Sequence, residues 1–344
     1  MRHAVFMLLG VLLAVLALEG ALRLLPTSTY TDTGYHIDPL IVTYRPGHRF
    51  HSSQGWDFSQ PQVHHANNLG FLSSRDFVPD PAALVVIGDS FVDASMLPED
   101  ERLGGQLQRL LGARPVYAMG GPGSSLLDYA ERLRYAAEKL DARDFVLVLE
   151  RGDARQSYCG SGNVHGPCID RASGAARTEI RPPAGAAQRY LRHSALLQYL
   201  LGHLRFDPQA RLQRALRALG GAGGGVAQGP RTGAATNDFS EAEIARVVEA
   251  FFARIEPYRR GRLLMVFDSD RVRMEAGESG TTPEREQFMA LARAHGAEVI
   301  DTLPGFRAAV AASGRHLEIS PLDGHWNREA TALVAREIVA QLSP

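Results

Sequence analysis

Apolar positions follow three different patterns along this chain. At the start, Ala4 to Leu18 are apolar with only Gly10 interrupting, Arg2 ahead of them and Glu19 behind. A shorter run, Ala21 to Leu25, carries Arg23. Together with Gly20 the two runs reach the roughly 20 residues that a membrane span requires, if Glu19 and Arg23 lie near the outer interface. Residues 1–26 therefore read as a signal anchor or a signal peptide. Val15-Leu16-Ala17 is a passable cleavage site, but Glu19 and the continuing apolar pattern make a poor one and favour the anchor. Either form predicts an exported chain. An anchor would hold it in the inner membrane by a single pass with the rest in the periplasm, and cleavage would release it.

The second pattern, residues 27–80, is rich in His, Pro, Ser, Asn and Gly, has no long period, and reads as an irregular, partly β lead-in. His48, His51, His64 and His65 fall here without clean metal-ligand spacing, so surface or packing roles are expected.

From residue 81 to 344 the pattern alternates between short apolar runs and amphipathic stretches. Leu84–Ile87, Val116–Met119 and Phe145–Leu149 are predicted strands, separated by helices around Glu101–Leu111 and Leu126–Leu140. Continuously apolar strands alternating with helices predict an α/β fold, a parallel sheet covered on both faces. The alternation stops at an insert, about 155–237: a long loop over 155–185, a helix over Arg189–Phe206, another over Leu212–Leu219, and a Gly- and Ala-rich linker from Gly220 to Asn237. It resumes with a helix over Ser240–Tyr258, opened by a capping box of Ser240 and Glu243. Strand Leu263–Phe267, helix Pro283–His295, strand Glu298–Ile300 and a closing helix Arg328–Leu342 follow. The insert reads equally as a lid beside the site and as a decoration.

Composition narrows the function classes. The 344 residues carry 37 Lys+Arg against 38 Asp+Glu, a net charge of −1, which argues against a nucleic-acid partner. Two cysteines exclude a zinc ribbon, an iron–sulfur cluster and a disulfide-rich scaffold. In an exported chain, Cys159 and Cys168, close together around a glycine-rich loop, are expected to be bridged.

Three chemical features lie where predicted strands end, the place where open α/β sheets put their sites. Ser90 follows the first strand in Gly88-Asp89-Ser90, where a tight strand-to-helix turn can lift a hydroxyl into the open. Alone, it could equally be an ordinary helix cap. Asp323 and His325 stand two apart before the last helix; an imidazole base needs a carboxylate to fix its tautomer. The turn Gly120-Gly121-Pro122-Gly123 after the second strand offers backbone amides. Asp268 and Asp270, after the strand Leu263–Phe267, are within possible reach of a pocket, with helix capping or solvent exposure the weightier reading.

In this order the features resemble the SGNH/GDSL hydrolase superfamily. Gly88-Asp89-Ser90 matches its first block and Tyr117–Gly123 its second, while Asp323 and His325 fill its closing block; Asn67-Asn68-Leu69-Gly70-Phe71 resembles an upstream element of anchored bacterial members. The resemblance covers about residues 65–155 and 260–340. It implies a three-layer, flavodoxin-like fold and a serine esterase acting on acetyl or other short acyl esters. Ser90 would be the nucleophile, His325 the base, Asp323 its orienter, and the amides of Ser90 and Gly123 the oxyanion hole. No metal or organic cofactor is implied, and the partners are an acyl ester or acylated saccharide and the membrane. Two departures stand out. The third block normally offers an asparagine, and the residue best placed here is Asp153, which donates only when protonated; Arg151 could supply charge instead. The Asp-x-His-Trp spacing resembles the alginate O-acetylation proteins, which implies transfer to an exported polysaccharide as an alternative to hydrolysis. A glycan-binding or assembly protein with a decayed site is the alternative of another class.

Overall fold

The computed structural model describes residues 2–182, 185, 191–204, 239–320 and 323–343. The expected helix Leu212–Leu219 and linker Gly220–Asn237 lie outside them. The chain forms two compact units, Met1–Tyr30 with His51–Pro61 and Ala184–Phe239, and Thr31–Phe50 with Gln62–Pro183 and Ser240–Pro344. These divisions differ from the boundaries drawn at 26/27 and 80/81. The reason is visible in Tyr44, whose amide donates to Gly70 O and whose hydroxyl donates to Asp93, tying the lead-in to the sheet unit.

In the first unit, helix α1 (Arg2–Leu24) is the one described helix long and apolar enough to cross a membrane. At 1.5 Å per residue it spans about 34 Å, against a hydrocarbon core of about 30 Å. Its apolar side chains from Val5 to Leu18 are largely exposed, whereas Leu22 is buried. Glu19, the acid that interrupts the apolar pattern, accepts from Ser194 Oγ and from the amides of Ala195 and Leu196 at 2.8–3.0 Å.

The second unit holds the sheet. Ahead of it, the lead-in contributes β1 (Thr33–Asp38) and β2 (Ile41–Tyr44), an antiparallel pair. Strands β3 (Arg49–Gln54) and β4 (Ser59–His65) form another two-stranded sheet. The Asn67–Phe71 stretch is a built turn: Asn67 Oδ1 accepts from Leu69 and Phe71 amides, and Asn68 bonds both amide and carbonyl of Phe77. Gly70 sits at φ +79°, and a Cβ there would stand 2.0 Å from Tyr44 O, so glycine is required.

The main elements follow in order: β5 (Leu84–Gly88), α2 (Ser90–Asp93), α3 (Leu103–Leu111), β6 (Val116–Gly120), α4 (Leu126–Lys139), β7 (Asp144–Leu149) and α5 (Asp153–Gln156). The expected loop over 155–185 instead contains the end of α5 and an antiparallel pair, β8 (Pro167–Ile169) and β9 (Ala176–Thr178). Within the expected helix Arg189–Phe206, the described part is not one helix: residues 192–194 are not helical, and α6 (Ala195–Gln198) continues through a π turn to His203. Then come α7 (Glu241–Ile255), β10 (Leu263–Phe267), α8 (Arg271–Glu275), α9 (Pro283–Ala294), β11 (Glu298–Asp301), α10 (Thr302–Ser313), β12 (Glu318–Ser320), β13 (Asp323–Trp326) and α11 (Arg328–Leu342). Ser240 and Glu243 form the expected capping box at the start of α7.

The central sheet has five parallel strands in the order β11-β10-β7-β5-β6. Counted from β5 as the first, this is the 2-1-3-4-5 order of a flavodoxin-like α/β fold, with the switch of direction between β5 and β7. Strand periodicity explains the continuous apolar runs. Leu84, Val86, Val146, Val148, Leu264 and Val266 join one core with Leu103, Phe306, Val334 and Ile338 of α3, α10 and α11. The alternate residues, Val85, Ile87, Phe145, Leu147 and Met265, are equally buried on the other face, where α4 and α7 pack. Each such side chain contributes about 1.5–3 kcal/mol relative to exposure.

Candidate active site

Ser90 begins α2 at the carboxyl end of β5, beside the switch point. Two glycines allow that turn. A Cβ on Gly88 would stand 2.6 Å from Val92 Cγ2, and one on Gly120 would stand 2.3 Å from the Asp93 backbone nitrogen. Asp89 caps the helix by accepting the Phe91 amide at 2.9 Å, and Ala94, at φ +40°, closes it by donating to Ser90 O.

His325 arrives from β13, paired with β12, just before Asn327 caps α11 through the amides of Glu329 and Ala330. His325 Nε2 lies 2.8 Å from Ser90 Oγ, and Nδ1 lies 2.5 Å from Asp323 Oδ1, which also accepts the His325 amide at 3.2 Å. Because a carboxylate only accepts, Nδ1 carries the proton, and the Nε2 lone pair faces the serine. Burial by itself would lower the imidazole pKa, but the hydrogen bond and charge of Asp323, joined by Asp89, raise it above the ordinary histidine value. The sequence-selected Ser90, Asp323 and His325 are thus brought together, with the Phe91 ring 4.9 Å from the imidazole.

The backbone N–H groups of Ser90 and Gly123 have no acceptor among the described residues, whereas the neighbouring Gly121 N–H is taken by Gly88 O. Gly123 adopts φ +67° and is half-exposed.

Asp153 needs a correction. A donor to a substrate oxygen must touch open space, yet Asp153 is 0% exposed and its Oδ2 accepts the Glu150 amide at 2.8 Å. It belongs under the site rather than in an oxyanion hole. Burial, followed by the charges of Asp89 and Glu150, pushes its carboxyl well above the usual range; the same burial and Glu150 bring Asp89 to about 7. Arg151 is likewise engaged elsewhere, with Asp270 and with Glu150 at 3.4 Å.

Sequence reasoning missed the brace behind the histidine. Asp268 is buried and accepts from Trp326 Nε1 at 2.8 Å and from Arg271, which also donates to Gly324 O and pairs with Glu318 at 3.2 Å. Asp270 caps α8, as the weightier reading of it held. Trp326, the residue behind the saccharide-acceptor reading, is 2% exposed and braces the strand. The position after β10 had marked Asp268, whereas nothing local marked Arg271 as its partner.

Cys159 and Cys168 are bridged. Glu275, His316 and Glu318 bring ligand atoms within 4.8 Å of one another, but Glu275 is paired with His316 and Glu318 with Arg271.

No family model and no curated protein matches the chain. Solved structures similar to it include a G-D-S-L family lipolytic protein from Veillonella parvula, at 11% identity over 75% of this chain and 96% of that one, with a TM-score of 0.41. An acetyl xylan esterase is 12% identical over 76% and 100%, with a TM-score of 0.40. The acetylxylan esterase of Geobacillus stearothermophilus is 10% identical over 78% and 97%, also with a TM-score of 0.40.

Proposed function

We propose that this chain is a serine acylhydrolase of the SGNH/GDSL type acting on acetyl or other short acyl esters. The observation that carries the reading is the continuous relay from Asp323 through His325 to Ser90, assembled from residues 235 positions apart. His325 Nε2 takes the Ser90 proton as Oγ attacks the ester carbonyl carbon. Asp323 holds the tautomer and stabilises the resulting imidazolium. The tetrahedral oxyanion accepts from the Ser90 and Gly123 amides. As the intermediate collapses, His325 returns the proton to the departing alcohol, leaving an acyl-enzyme. Water, deprotonated by His325, then releases the acid and restores Ser90.

The helix α1 serves as a membrane anchor in this reading. Its exposed apolar length and the engagement of Glu19 with the start of α6 support a retained segment, and the Cys159–Cys168 bridge fits an oxidising compartment such as the periplasm.

The test is Ser90→Ala in the full chain. Loss of 4-nitrophenyl acetate turnover and of fluorophosphonate labelling is expected; undiminished turnover would sink the reading.

A further inference from the structure

The uninterrupted apolar run of α1 is short for a bilayer. Ala4–Leu18 is 15 residues, about 22 Å of helix at 1.5 Å per residue, against a hydrocarbon core of about 30 Å. Glu19 ends the run, and its carboxylate is held by Ser194 Oγ and the amides of Ala195 and Leu196, so the start of α6 stands at that level of the helix. About 8 Å of hydrocarbon depth is left to whatever surrounds the Glu19 end.

What surrounds it is tied together by hydrogen bonds. The Ser28 amide, just past α1, donates to His203 Nε2 at 3.0 Å, which leaves the proton on Nδ1 to donate to Gly55 O at 2.9 Å. Ser53 N donates to Ser28 Oγ at 3.1 Å, and the Tyr199 hydroxyl donates to Trp56 O at 3.1 Å. The Phe58 ring packs 5.2 Å from both Tyr199 and His203, which offsets the strain of a bulky residue at φ +56° in the turn between β3 and β4. That turn is therefore fixed to α6 and, through Ser28, to the end of α1. The side chains it leaves outside are apolar. Trp56 is 73% exposed although its carbonyl is held, and Leu24, Leu191, Leu201 and Leu204 are about half exposed or more. Single apolar side chains are ordinary on a surface, but these five share one packed assembly with the outer turns of α1. An indole, apolar in body with a polar N–H, settles at the headgroup level of a bilayer, and leucines settle just beneath it.

We propose that Trp56 and the exposed leucines beside α6 form a collar that enters the headgroup layer of the bilayer around the Glu19 end of α1, making up the depth that the apolar run lacks. The proposal rests on the anchor reading of α1 and adds to it a second, peripheral contact with the same lipid surface.

The test is depth-dependent fluorescence quenching of the full chain reconstituted in phosphatidylcholine vesicles. The chain has two tryptophans and Trp326 is 2% exposed, so the signal lost in Trp56→Phe is that of Trp56. A lipid nitroxide near the headgroup should quench this signal more strongly than one near the acyl terminus, and acrylamide in the water should quench it less than it quenches free N-acetyltryptophanamide. Because Cys159 and Cys168 are bridged, Leu201→Cys adds a single thiol, and an environment-sensitive dye attached there should show the same preference for the shallow nitroxide. A chain that floats with the vesicles while Trp56 stays fully open to acrylamide and insensitive to both nitroxides would overturn the collar and leave the anchor standing. Stronger quenching by the deep nitroxide would overturn its placement among the headgroups. A chain that does not float would overturn the anchor, and the collar with it.

Discussion

The indole N–H of Trp326 donates to Oδ1 of Asp268 across 2.8 Å, with both residues buried. This bond ties the strand that presents His325 to the end of β10. Asp268 also neutralises Arg271, whose side chain is only 5% exposed and whose guanidinium holds Gly324 O. Asp268→Ala would strand a buried charge and free the histidine strand together. A loss of about 3–5 kcal/mol in unfolding free energy is expected, the usual cost of breaking a buried pair. Denaturant melts check it, with turnover per folded molecule also falling.

In the proposed mechanism His325 is the base and sets the pH dependence of turnover. His325 must be neutral to accept the Ser90 proton, and Asp323 raises its pKa above 6.5. The rate should therefore climb with pH along a limb centred above 6.5. In Asp323→Asn the limb should move to lower pH, because the charge that favours imidazolium is gone, while kcat falls roughly 10⁴-fold. A pH–kcat profile of both proteins measures this.

Stability should run the other way. Asp89 and Asp153 are buried acids with raised pKa values, so the native chain holds protons that the unfolded chain has released. Native-state stability then falls as pH rises from the ordinary aspartate value of 3.8 through about 7, where Asp89 titrates. Melting temperatures should drop between pH 5 and pH 8, and Asp153→Asn, which keeps an acceptor for the Glu150 amide, should narrow that drop. An unchanged gap in the variant would show that Asp153 does not contribute.

At Gly120 the end of β6 passes close to the backbone of α2. A methyl group there would stand 2.3 Å from a backbone nitrogen, which no rotamer change relieves. Gly120→Ala should cost about 3 kcal/mol, the upper end of overpacking penalties, and depress turnover by shifting α2. Thermal melts read the first effect. Gly112→Ala, at a position of positive φ but with open space around it, should keep turnover near the parent value.

Retention of the amino terminus is open to direct measurement. Membrane-extracted protein should still contain the Arg2–Leu24 segment when sequenced or mapped by peptides. A start at Leu18 would show cleavage after Ala17.

Strands β5, β6, β7 and β10 were legible because each is apolar on both faces, the pattern of a sheet covered twice. Ser90, Asp323 and His325 were legible because each sits beside a punctuating element, a strand end or a helix cap. Helix α10 escaped notice: its Thr-Leu-Pro-Gly opening and alanine-rich body carry a weak amphipathic signal. The β12–β13 pair escaped because its strands are short and half-buried. The bonds of Asp268 to Trp326 and of Arg271 to Gly324 and Glu318 join distant positions, and nothing local in the sequence marks a contact made through sheet order.

The pairing pattern also divides the site by local stability. Strand β5 lies between β6 and β7 with every residue buried, whereas β13, among the described residues, pairs only with β12 at a partly exposed margin. Amide protons of β5 should exchange with deuterated water only through near-global unfolding, and those of β13 through small local openings. Ser90 thus stands on slow-exchanging ground and His325 on a faster-exchanging arm. Warming should uncouple His325 from Ser90 before the sheet itself gives way.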